Sequence, residues 1–117
     1  MTRVGDRDAL PVCMVVQMRR ELEANVHKGD WLALTPEQHE HEVIYHALKL
    51  ILAARIHDTE AVREYAADVA NQAAMLADAH GALDLEPVAG DDGYDEHGSE
   101  ELHGLADRLV ALIAEHA

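Results

Sequence analysis

This sequence predicts an all-α fold, a four-helix bundle with helices near residues 10–25, 36–56, 59–80 and 99–116. Three observations predict it. Alanine supplies much of the 49% apolar share while Phe is absent and aromatic residues are 3%, a mixture that favours helices over strands. Apolar residues recur three and four apart through most of the chain. Residues that start and stop helices, among them Asp8, Thr35-Pro36, Asp58, Gly81 and Ser99, fall between the periodic stretches.

Taken in order, residues 1–8 are polar, and Asp8 is placed to cap a helix beginning near Leu10 or Pro11. Val12, Val15, Met18 (or Arg19) and Leu22 form the apolar stripe of that helix, which ends near Asn25. The connector Val26-His27-Lys28-Gly29-Asp30-Trp31 holds the sole Trp. Thr35-Pro36-Glu37-Gln38 has the form of a capping box with Pro at the first helical position. Helix two carries Val43, Ala47, Leu50 and Ala54, widened by Ile44, Leu48, Ile51 and Leu52, and a helix so apolar is central. Asp58 or Thr59 caps helix three, and Gly81 is its natural stop. Residues 84–98 shift to Pro, Gly and acids and read as a loop. Ser99, Glu100 and Glu101 then open a helix striped by Leu102, Leu105, Leu109, Leu112 and Ile113 (or Val110). The whole is one all-α domain over 1–117.

Nine Lys and Arg against 23 Asp and Glu give a formal charge of −14. That field repels duplex nucleic acid, and no run of Lys or Arg supplies a local basic patch. The lone Cys13 excludes a disulfide within the chain, makes a reduced, cytoplasmic location the expectation, and is expected to pack in the core. The apolar run Leu10 to Val16 is too short to span a bilayer, and Arg3 and Arg7 precede no cleavage-like signal, so no membrane role is expected. An Ala-rich core buries little area per residue, which favours self-association into a dimer or larger homo-oligomer.

Most catalytic motifs fail on spacing. His39-Glu40-His41-Glu42 lacks the two His four apart that a zinc helix needs, and the acids at 91–98 do not fit a calcium loop. No phosphate loop, dinucleotide fingerprint or nucleophile elbow is present. What remains is a polar set on the two central helices. Glu42, Tyr45, His46 and Lys49 lie along one side of helix two; Glu64 (or Tyr65), Asp68, Asn71 and Met75 lie along one side of helix three. An acid and an amide in the apolar run Ala66-Ala67-Asp68-Val69-Ala70-Asn71 require partners.

Asn25-Val26-His27-Lys28-Gly29-Asp30-Trp31, Ala66-Ala67-Asp68-Val69-Ala70-Asn71 and Met75-Leu76-Ala77-Asp78 together resemble the MazG-like all-α nucleoside triphosphate pyrophosphohydrolases, especially small phage versions, over residues 15 to 80. The resemblance implies a bacterial or phage-infected cytoplasm. It also implies a Glu-x-x-Glu pair and a Glu-x-x-Asp pair that bind Mg²⁺, which holds the triphosphate while water splits it to monophosphate and pyrophosphate. Here the second motif becomes Tyr65-x-x-Asp68. The first becomes His46-x-x-Lys49 in a gapless register, or Glu42-x-x-Tyr45 one turn away. If a metal is held, Glu42, Glu64 and Asp68 are its candidate ligands. Lys28 is a candidate for phosphate, Trp31 for stacking on a base, and Asn71 for the nucleotide. The gapless register favours Lys49–Asp68 or His46–Asp68 contact in place of the ion; a charge pair at ~4 Å interacts by about 4 kcal/mol at a dielectric near 20, before desolvation. Two functions follow: a nucleotide pyrophosphohydrolase, or a non-catalytic helical oligomer that binds a nucleotide or a protein partner.

Overall fold

The computed structural model describes residues 3–26, 31–84 and 99–116. Among them are four α-helices, α1 (Ala9–Ala24), α2 (Pro36–Arg55), α3 (Thr59–Ala79) and α4 (Ser99–His116), one 3₁₀ turn at Trp31–Ala33, and no strand. The fold is all-α, with helices packed on one another as in a bundle. Lys28 and loop residues 85–98 lie outside the described residues. The chain divides into two compact units, Met1–Leu83 and Asp84–Ala117, with the boundary where the composition turns acidic and Gly-rich. No helix among the described residues is long and apolar enough to cross a membrane.

In the first unit α3 packs against both α1 and α2 and is the central element. Its small side chains permit that close approach: Ala67 is completely buried, and Asn71, one turn on, is buried beside it. Across from them, α2 buries His39 and Ala53. Ala53 rather than Ala54 turns inward, one step from the expected stripe, and Ala54 is exposed.

The helix ends follow local chemistry. The Thr35 hydroxyl accepts from the Gln38 N–H and the Gln38 side chain accepts from the Thr35 N–H, completing the expected capping box. Asp58 caps α3 by accepting from the Ala61 N–H. Asp8 occupies the N-cap of α1 but makes no capping bond; its own N–H donates to the Asp6 carboxylate at 2.9 Å. Its helical backbone (φ −80°, ψ −31°) departs from the extended geometry that carries a capping side chain to the next turn. Helix α3 closes with Gly81 at φ 68°, where the Ala82 N–H donates to the Ala77 carbonyl and the Gly81 N–H to the Asp78 carbonyl. The same pattern ends α2, except that His57 takes the left-handed position at φ 58°.

Helix α1 departs most from expectation. Its better-covered residues are Met14, Gln17, Met18, Glu21 and Asn25, while Val12 (63%) and Val15 (49%) are exposed. Cys13 is exposed as well, correcting the core role expected of it. Of the expected stripe, Met18 is on the covered side, where Asn71 donates its amide to the Met18 carbonyl at 3.0 Å, while Val12 and Val15 face outward. In the second unit, α4 exposes its stripe of Leu102, Leu105, Leu109 and Leu112.

Candidate functional site

Asp68 sits on α3 where acidic and basic groups from both neighbouring helices reach it. The turn at 56–58 is short, so α2 and α3 run antiparallel, and descending α2 matches climbing α3. His46 therefore faces Asp68, with Nδ1 3.9 Å from Oδ2. That distance suits an ion pair once the imidazole is protonated, but exceeds hydrogen-bond reach, and this buried nitrogen has no hydrogen-bond partner among the described residues. The other imidazole nitrogen lies 3.3 Å from Glu42, one turn back on α2. Glu42, His46 and Asp68 thus form a chain with the imidazole in the middle.

One turn further along α2, Lys49 holds its ammonium over the Tyr65 ring at 4.4 Å and near the Tyr45 ring at 5.4 Å. Each arrangement falls within cation–π range, worth about 0.5–1 kcal/mol at exposed sites. Tyr45 in turn meets the His46 ring edge-on, centroids 5.3 Å apart. His46 thus lies against Asp68, and Lys49 against Tyr65. Of the two contacts expected at Asp68, the one with His46 is present.

On its other side Asp68 meets α1. Carboxylate oxygens of Glu21, Glu64 and Asp68 all lie within 4.8 Å of one another. Glu64 and Asp68 are one turn apart on α3; Glu21 comes across from α1, one turn beyond the Met18 carbonyl that Asn71 binds. Three carboxylates so close offer hard oxygen donors of the kind divalent cations prefer. Asp68, His46, Lys49 and Tyr65 do not: one carboxylate, an imidazole, an ammonium and a phenol make a poor magnesium set.

Glu21 was not legible as a member of this cluster. Gln17, Glu21 and Asn25 recur four apart, and a polar stripe of that kind usually faces solvent. Here all three are partly covered. Glu42 lies with His46, apart from the Glu21 cluster in its own contact. Of the two described nucleotide candidates, Asn71 lies one turn from Asp68 and Trp31 lies farther along α3. Asn71 is buried and bonded to α1. Trp31 donates its indole N–H to Asp78 at 3.4 Å, ten residues and about 15 Å along α3 from Asp68.

No protein-family model, no curated protein and no solved structure matches this chain.

Proposed function

We propose that this chain is a MazG-like nucleotide pyrophosphohydrolase-fold protein that binds a nucleoside triphosphate without that family's ordinary magnesium cage, and does not hydrolyse it. One observation carries the reading: His46, Lys49, Tyr65 and Asp68 converge across α2 and α3 at the spacing the motif positions require, and three of the four are not acids. Where a metal would bridge carboxylates and phosphates, the Lys49 ammonium supplies positive charge and donors for phosphate oxygens. Tyr45 and Tyr65 hold the Lys49 ammonium in place, which lowers the entropy lost when an anion arrives.

A second reading has its own observation. If Mg²⁺ is held by Glu21, Glu64 and Asp68, it would supply phosphate neutralisation and water activation one helix away from the usual position. The chain is then an active pyrophosphohydrolase. In either case it is a homo-oligomer, dimer or larger, supported by the exposed Leu10, Val12, Val15 and Val16 of α1.

Calorimetry with a non-hydrolysable nucleoside triphosphate, with Mg²⁺ and with EDTA, separates these readings when paired with a pyrophosphate-release assay. Binding that survives EDTA, without release, is the outcome expected. Release that needs Mg²⁺ and disappears in Glu21→Gln selects the second reading. No binding under either condition overturns both.

A further inference from the structure

Helix α1 turns about 100° per residue, and its N-cap residue Asp8 keeps helical backbone angles. Asp8, Val12, Val15, Val16 and Arg19 therefore fall within an arc of about 100°, opposite the side that carries Met18 and Glu21 towards α3. All five are exposed. The stripe reads acid, three valines, base.

Neither charge is used within the chain. The Asp8 side chain makes no capping bond. Among the described residues, neither its carboxylate nor the Arg19 guanidinium has an ion-pair or hydrogen-bond partner. The two lie eleven residues and about 16 Å apart along one helix, so they cannot pair with each other. The valines between them leave an apolar strip in water, which is favourable to cover.

We propose that this face pairs with the same face of a second copy, antiparallel, about a two-fold axis level with Cys13 and Met14. Val12 then meets Val15 of the second copy, Asp8 meets its Arg19, and symmetry makes each contact twice. Parallel pairing would set acid on acid and base on base, and would align the two helix dipoles. The order of the charges thus selects both the occupant and its direction. Glu23, also in the arc, falls level with Val4 of the second copy, ahead of the helix. A pair of 16-residue helices, each about 24 Å long, buries less than the standard interface of about 1,600 Å², so the dimer dissociates on dilution. Glu21 is on the opposite side of α1, which leaves the Asp68 site uncovered. This pairing rests on the chain being a homo-oligomer and is independent of nucleotide binding.

Sedimentation equilibrium of the full chain over a concentration series, at ~0.15 M salt to screen the long-range repulsion between two acidic molecules, gives the dimer dissociation constant. Expected are a reversible dimer for the native chain and a constant raised about tenfold by Arg19→Asp and by Asp8→Arg. The double variant Asp8→Arg/Arg19→Asp should return to within about threefold of native, because the pairs are restored with their signs exchanged. Arg20→Asp makes the same charge change off the stripe and should stay within about threefold of native. The replaced side chains are exposed, and circular dichroism checks that each variant folds. A dimer indifferent to Arg19→Asp, weakened equally by Arg20→Asp, or not recovered in the double variant overturns the antiparallel pairing and leaves the homo-oligomer reading standing. A native chain that is monomeric at every concentration overturns both.

Discussion

Asp68 and Asn71, one turn apart on an alanine-rich helix, divide the work of placing the neighbouring helices. Asn71 is buried and ties α3 to the Met18 carbonyl of α1, while Asp68 gathers Glu21 and Glu64 on one side and His46 on the other. The demand for partners was legible in the sequence, because an acid and an amide in an apolar run are costly without them. Which partners answer was not legible, since Glu21 and Met18 lie some fifty residues away and their meeting depends on the rotation of α1. Replacing Asn71 by Ala removes the bond to the Met18 carbonyl, which keeps its own bond within α1. The expected cost is about 0.5–1.5 kcal/mol in chemical denaturation, with the same helix content by circular dichroism. No measurable loss would mean that the bond does not hold α1 in place.

At the scale of helices, starts and stops were the most legible features, because caps are local chemistry. Thr35 with Gln38, Asp58 and Gly81 each act where their types predict. The facing of α1 was the least legible. Its valines satisfy the helical period, but the covered face carries Gln17, Glu21 and Asn25 beside Met14 and Met18, a mixture that hydrophobic spacing does not single out. At the end of α2, His57 stands in the left-handed region that glycine occupies without penalty. His57→Gly is therefore expected to raise stability by about 1 kcal/mol and the melting temperature by a few degrees, whereas Gly81→Ala should lower stability by a similar amount. Thermal scans of the two variants check both signs. Destabilisation by His57→Gly would show that the imidazole contributes more than its backbone strain costs.

For the molecule as a whole, a thin core accompanies much exposed apolar surface. Ala53 and Ala67 are the buried apolar residues among those described, and Leu10, Val12 and Val15 face outward. That arrangement supports the proposed self-association: light scattering should give a dimer or larger species, and Val12→Glu with Val15→Glu should reduce it to monomer. A monomeric native chain would remove that part of the proposal. The all-α class was legible from composition and period; that His46 would meet Asp68 was one of two contacts the sequence offered, and the choice between them depends on the packing of α2 on α3. The central claim is that His46, Lys49 and Tyr65 stand where carboxylates would build a magnesium cage around Asp68. Pyrophosphate release from nucleoside triphosphates by His46→Glu/Lys49→Glu/Tyr65→Glu, measured beside the native chain, tests it most directly. Mg²⁺-dependent release by the triple variant and none by the native chain is the predicted result. Release by the native chain, or none by a folded triple variant, would contradict it.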